Sequence, residues 1–136
     1  MKVTLDKDAV LPTRAHEADA GYDLYSREDA VIYPDDSYTF DTGVHMEIPR
    51  GYVGDVKSKS GLMMLGLVTD GTVDSGYVGS IRVKLFNHGN TSVFIQKGQK
   101  IAQLVIKAII TPDLEVVDRL EATERGVNGF GSSGKF

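Results

Sequence analysis

Apolar residues alternate with polar ones at Val44-Met46-Ile48, Ile81-Val83-Leu85 and Val93-Ile95, and turn chemistry cuts each run off within a few residues. Period-two alternation is the signature of strands with one face buried and the other in water. The breaks fall at Pro34-Asp35-Asp36-Ser37, Pro49-Arg50-Gly51, Asp70-Gly71, Asn87-His88-Gly89-Asn90, Lys97-Gly98 and Thr111-Pro112-Asp113. Gly, Pro, Asn and Asp supply the backbone conformations that tight turns need. Strands this short and this often interrupted predict an all-β barrel or a jelly-roll-like sandwich. Ile101 to Ile110 is more continuously apolar, as expected of a strand buried on both faces. The one helical candidate is Ser60 to Leu65, one or two turns carrying Leu62, Met63, Met64 and Leu65.

A chain of 136 residues is long enough for one core and too short for two. It has no cysteine, which excludes disulfides and thiolate chemistry, and its three scattered histidines do not make a zinc site. The net charge of -4 argues against a nucleic-acid polymer as partner, because that needs a basic face. An acidic protein still holds a phosphate ligand where local donors and a divalent metal compensate. No stretch approaches the roughly 18 apolar residues of a membrane span, and Met1-Lys2-Val3 enters a strand-like pattern. The expectation is a cytoplasmic protein with no membrane partner.

Five segments could carry chemistry. In Ala20-Gly21-Tyr22-Asp23-Leu24-Tyr25-Ser26, Asp23 is either a hydrogen-bonded structural residue or a functional acid. Lys57-Ser58-Lys59-Ser60-Gly61-Leu62 joins hydroxyls, ammoniums and a possible helix start, which make either an anion site or a Ser N-cap beside solvated lysines. In Gly71-Thr72-Val73-Asp74-Ser75-Gly76-Tyr77-Val78-Gly79 the glycines let a backbone approach a flat ligand and Tyr77 offers a stacking face. Apolar neighbours of Asp74 could raise its basicity, although a hairpin with a turn Asp explains the segment equally well. Gln103, inside the apolar run from Ile101 to Ile106, either closes a core network or faces a ligand.

The fifth segment is the tail, in which Gly129, four further residues, Gly134 and Lys135 nearly reproduce a phosphate-cradling loop with no helix after it. A Gly/Ser terminus is usually disordered. Arg125 and Phe130 point elsewhere, one suiting a phosphate fork and the other an aromatic lid.

In this order and at these separations, the five segments resemble the five motifs of the trimeric dUTP pyrophosphatases (dUTPases), from about Arg14 to Ser133. The likeness is to short phage or bacterial members. It implies an all-β, jelly-roll-like distorted barrel (the dUTPase-like β-clip) over residues 1–124 and a flexible arm over 125–136 that is exchanged within a homotrimer and closes over nucleotide bound elsewhere. Reach is sufficient, since a dozen extended residues span roughly 40 Å. It also implies hydrolysis of dUTP to dUMP and pyrophosphate, limiting uracil in DNA and supplying dUMP for thymidylate synthesis.

By the same resemblance, Asp74 is the general base that activates water against the α-phosphorus. Tyr77 packs on the deoxyribose and rejects ribonucleotides, while backbone groups between Val68 and Asp74, including Gly71 and Val73, read uracil. Lys59, Ser60, Gly61 and Gln103 contact the phosphates. Arg125 clamps the γ-phosphate, Phe130 stacks over uracil, and Gly131, Ser132 and Ser133 complete the arm. Mg2+ is held by phosphates and waters, with Asp23 acting through a metal-bound water.

Three positions depart from the family pattern. Lys59 and Ser58 stand where Arg and often Pro are usual, so a point charge replaces a bidentate fork. Val68 occupies a position where many relatives have Asn. The related dCTP deaminases share the third motif, but Lys84 falls where their catalytic Glu would align, and a cation cannot replace that carboxylate. A binding or signalling protein with a regulatory protein partner, as in phage relatives, and a plain structural β-domain are the remaining readings.

Overall fold

The computed structural model describes residues 1–129 and 132–134. In chain order the strands are β1 (Lys2–Leu5), β2 (Gly21–Tyr25), β3 (Ala30–Ile32), β4 (Ser37–Asp41), β5 (Val44–Glu47), β6 (Tyr52–Lys57), β7 (Leu67–Val68), β8 (Asp70–Val73), β9 (Arg82–Asn87), β10 (Val93–Ile95) and β11 (Lys100–Ala108). Between β6 and β7 lies α1 (Ser60–Met63), a single turn and the one helix among the described residues. Antiparallel sheets run in the orders β2-β11-β6-β8, β4-β9-β7, β1-β5 and β10-β3. The all-β expectation holds.

The alternating runs turn their apolar sets inward. Val44, Met46 and Ile48 are at most 4% exposed, and Ile81, Val83 and Leu85 at most 1%. They meet Phe40, Leu24, Ile95 and Leu104 in one core between the sheets. Each such side chain stabilises the fold by about 1.5–3 kcal/mol when fully buried. Asn87 continues the inward series as a polar member. Its amide donates to the carbonyls of Ile32 and Thr91, both at 2.9 Å, and accepts from Gly89 N at 2.9 Å, closing the turn that follows β9.

Three local expectations are revised. Asp70-Gly71 is not a turn but the start of β8, opposite Lys57 and Val56. Lys57 donates to the Asp70 carboxylate across the strands, so the pairing energy overrides the local turn preference. The apolar run after Gly98 is buried on both faces only over its first part. Ile101, Ala102 and Leu104 are fully buried, whereas pairing with β2 ends at Val105 and Ile110 is 90% exposed. The helix ends at Met63, because one turn can direct only Leu62 into the core and leaves Met63, Met64 and Leu65 exposed.

After β11 the backbone is tied to the barrel by Ile109 N to Gly51 O at 2.9 Å, and residues 110–129 are exposed and without regular structure. No helix among the described residues is long and apolar enough to cross a membrane.

Candidate active site

Strand registers align Asp23, Gln103, Lys57 and Asp70 across the four-stranded sheet. Directly opposed residues of antiparallel strands share a face, so this is a row of polar side chains on one surface. Asp23 is the buried member at 5% exposure. Its carboxylate accepts hydrogen bonds from Lys59 Nζ and, at 2.6 Å, from Lys100 Nζ. Burial pushes the Asp23 carboxyl upward, but the hydrogen bonds from Lys100 and Lys59 outweigh it and hold the group below its ordinary value. Two ammoniums on one carboxylate leave the cluster with a positive surplus, which suits a polyphosphate.

This arrangement has a pH consequence. A carboxyl whose folded pKa is depressed adds stability above its unfolded value, near 3.8, and loses it as the pH falls through the lower folded value. Asp23→Asn should therefore lower stability by about 1–3 kcal/mol at pH 7 and flatten the acid limb below about pH 4. Urea unfolding of both proteins at pH 7 and pH 3 measures this; equal differences at the two pH values would contradict it.

Gln103 is half-buried. Its amide nitrogen donates to Ser58 O at 3.1 Å, and a Cβ on Gly21 would lie 2.6 Å from its side-chain oxygen. Gln103 thus joins the first, second and fourth segments. Ser58 does not cap the helix. Its hydroxyl donates to Thr69 O and accepts from Thr69 N, both at 2.8 Å, which fixes the entry into α1 from below. Lys59 is the N-cap, with no side-chain capping bond, and Ser60 is the first helical residue, so the Ser N-cap alternative is not realised. The first N–H groups of a helix lack intrahelical acceptors, so those of Ser60 and Gly61 are available to an anion.

A second group lies at the other end of β8. Thr72, Val73, Asp74, Tyr77, Ser80, Ile81 and Arg82 line a cleft of about 220 Å³. Tyr77 N donates to Asp74 O at 3.0 Å, and the Tyr77 hydroxyl donates to Ser80 O at 2.9 Å. The ring folds back over Gly79, where a Cβ would come within 2.5 Å of the Tyr77 hydroxyl. A side chain at Gly79 would therefore displace the Tyr77 ring from this position. Gly71 differs, with only Val56 in ordinary contact, so its bareness leaves the strand edge open to a ligand.

The loop is anchored from β4 and β5. The Ser80 hydroxyl donates to Asp41, Gly43 N donates to Ser80 Oγ at 3.0 Å, and Thr42 Oγ1 donates to Ile81 O at 2.6 Å. The Ser80 hydrogen bond is the main cause that holds the Asp41 carboxyl below its ordinary value, against partial burial.

Asp74 is exposed, so its apolar neighbours do not take the carboxylate out of water in the single subunit. Val68 to Asp74 do not form a hairpin of their own. β7 pairs with β9 and β8 with β6, because Thr69 carries the chain from one sheet to the other. β8 is consequently an edge strand, with backbone groups on its outer side directed away from β6.

Tail residues form a third group. Arg125 Nε donates to Asn128 O at 2.9 Å, and Gly126 N donates to Thr123 O at 3.0 Å. Thr123, Glu124, Arg125, Asn128, Ser132 and Ser133 surround a concave space of about 570 Å³. Phe130 and Gly131 lie outside the described residues.

Lys59, Ser60, Gly61, Gln103 and Asp23 are thus brought together, Asp74 and Tyr77 form a separate cleft with Val73, and Arg125 shares a loop with Ser132 and Ser133. Sequence reasoning missed Lys100, Ser80 and Asp41. Lys100 stands three residues before Gln103, but only the fold shows that it meets Asp23. Lys84, the position that would bear a deaminase carboxylate, places its ammonium 4.9 Å from the Phe86 ring. Among the described residues no group of three or more His, Asp or Glu could hold a metal. Asp23, the one buried carboxylate of this polar row, fits a magnesium ion bound chiefly by nucleotide and water.

Known proteins extend this picture. The dUTPase family profile matches residues 7–134. A deoxyuridine 5'-triphosphate nucleotidohydrolase from Clostridium tetani is 43% identical over 135 residues, covering 96% of this chain and 93% of its own. One from Trichodesmium erythraeum is 40% identical over 134 residues, covering 96% and 94%. The structure of Staphylococcus bacteriophage 80alpha dUTPase with dUpNHpp superposes with a TM-score of 0.92 at 36% identity, covering 98% of both chains. That work describes phage dUTPases as controlling transfer of virulence genes by a G protein-like mechanism. The dUTPase of phage phi11 of S. aureus, with a coordinated structural Mg(II) ion, has a TM-score of 0.81 at 32% identity and covers 89% of this chain and 98% of its own.

Proposed function

This chain belongs to the dUTPase family and hydrolyses dUTP to dUMP and pyrophosphate, and we propose that the three groups described above divide that reaction among them. Asp74 takes a proton from a water molecule, whose oxygen attacks the α-phosphorus. The bond from that phosphorus to its bridging oxygen breaks, and pyrophosphate leaves. Lys59, Gln103, the Ser60 hydroxyl and the N–H groups of Ser60 and Gly61 bind the phosphates and offset charge developing on the leaving group. The outer edge of β8, with Gly71 and Val73, reads the uracil edge through backbone groups. Tyr77 lies along the sugar face and occupies the space a 2'-hydroxyl would need.

Bound Mg2+ would supply charge neutralisation at the phosphates, and Asp23 is the residue that would hold it, through a water. Residues 125–136 close the site: Arg125 on the γ-phosphate, Ser132, Ser133 and Gly131 on the phosphates, Phe130 over the base.

The observation that carries this reading is the cleft in which Asp74 and Tyr77 share walls beside the bare edge at Gly71. A proton acceptor, a sugar-sized aromatic face and a base-reading edge are then within one nucleoside of each other. Asp70, in the phosphate row, and Asp74, in the cleft, are separated by four residues of extended chain, about 13 Å. In the homotrimer of this reading, one subunit's phosphate row completes its neighbour's cleft. The exposed Leu114, Val116 and Leu120, each at least 87% accessible, support exchange of the segment leading to the arm.

Phosphorus NMR of products formed from dUTP, dCTP and UTP with Mg2+ tests the function. The expected result is dUMP and pyrophosphate from dUTP alone. Orthophosphate as first product, or equal turnover of UTP, would overturn the assigned bond or the assigned role of Tyr77.

A further inference from the structure

His45, on β5, falls outside every motif legible in the sequence. Its Nδ1 lies 2.9 Å from the Val78 carbonyl oxygen and its Nε2 lies 3.1 Å from Asp6 Oδ1. Val78 directly follows Tyr77, so the ring bridges the segment after β1 and the loop that bears the sugar-facing tyrosine. The same ring lines a cleft of about 240 Å³ with Val3, Met46 and Val78. We propose that His45 is a positioning residue for the Tyr77 loop, and that the protonated ring holds this loop in the geometry that separates dUTP from UTP. The proposal rests on the reading of Tyr77 given above.

Both acceptors are without a proton to give: one is a carbonyl, the other a carboxylate. Only the imidazolium donates to both. A neutral ring has one N–H and must turn a lone pair toward either Val78 O or Asp6, which converts one attraction into a repulsion.

The charged surroundings reinforce the protonated form. Asp6 faces the ring from beyond β1 and Asp41 from β4. Arg27 lies 3.6 Å from Asp6 and 3.8 Å from Asp41, and Arg82 lies 4.0 Å from Asp41, so both carboxylates are partly balanced. Lys2 and Glu47, which also line the cleft, pair with each other at 3.1 Å. The Val78 carbonyl, then Asp6 and Asp41, raise the ring above its ordinary value of 6.5 against the opposing effect of desolvation. For a group whose folded pKa is raised, the hold is complete below 6.5 and is lost as the pH rises through the higher folded value.

The test combines two readouts on the full-length protein. Imidazole and backbone NMR of the nucleotide-free protein follows His45, Tyr77 and Val78 between pH 5 and 9. Steady-state kinetics with dUTP and with UTP follow the wild type, His45→Ala, His45→Asn and Asp6→Asn across the same range. His45→Ala is expected to raise KM for dUTP roughly three- to tenfold and to narrow the dUTP-over-UTP preference by a similar factor. His45→Asn, whose amide nitrogen can stand in for Nδ1–H, restores most of the preference and removes its pH step. In Asp6→Asn the new amide can donate to Nε2, so the neutral ring keeps its bond to Val78 and the step moves to lower pH.

In the wild type, Tyr77 and Val78 resonances should shift with the His45 midpoint. Resonances that do not move at that midpoint, or an unchanged preference in His45→Ala, would overturn the proposal. Absence of dUTP turnover in every protein would instead refute the enzymatic reading, and the NMR titration would still decide whether His45 governs the loop.

Discussion

Asp74→Asn is expected to yield a folded protein that binds dUTP with near-normal affinity and turns it over about 10²–10⁴-fold more slowly, the usual contribution of a positioned general base. The substitution keeps the side chain's shape and removes its capacity to accept a proton. The structure argues that the fold will not object. Asp74 is exposed, and the contact that shapes its turn comes from its backbone carbonyl, which accepts from Tyr77 N at 3.0 Å. Loss should fall on kcat rather than KM, because the carboxylate serves the attacking water and not the ground-state nucleotide. Unchanged turnover would show that another group is the base.

Removing residues 125–136 is expected to leave the barrel and its thermal stability intact while lowering turnover by at least about 10²-fold, the scale seen when one preorganised donor to a developing charge is lost. Strand pairing among the described residues ends at Ala108. Arg125 bonds Asn128, and Gly126 N donates to Thr123 O, so among the described residues these hydrogen bonds stay within the same loop. Truncation therefore removes the clamp proposed for the phosphates without opening the interior. Full turnover by the shortened protein would return the tail to a passive role, and a collapse of stability would mean that it is structural.

The two variants separate chemistry from closure. A base variant should still show arm-dependent nucleotide affinity, whereas the truncated protein should keep its base but fail to hold the phosphates in line.

Much of the barrel was legible because its core strands obey a local rule. Val44, Met46 and Ile48, or Ile81, Val83 and Leu85, need only their own period to declare which face is buried. Asp70-Gly71 was misread because what makes it a strand is distant: Lys57 across the sheet, and an edge position that tolerates a glycine. Ile109 and Ile110 share their apolar character with Ile101, yet only the latter is in the core, while the former two lie past Ala108, where pairing with β6 ends; a composition run does not show where the sheet stops.

Within the site, Asp23, Asp74 and Gln103 could be singled out because each interrupts a recognisable local pattern. Their supports could not. Lys100 meets Asp23 from 77 positions away, the Ser80 hydroxyl donates to Asp41 across 39, and His45 meets Val78 across 33. No periodicity connects such pairs; only the closed barrel does.

The central claim is that water attacks the α-phosphorus of dUTP. A single turnover in ¹⁸O-labelled water, followed by mass analysis of both products, tests it most directly. One heavy oxygen in dUMP and none in pyrophosphate is the predicted result. Label in pyrophosphate, with none in dUMP, would place the attack at the β-phosphorus and contradict the mechanism assigned to Asp74.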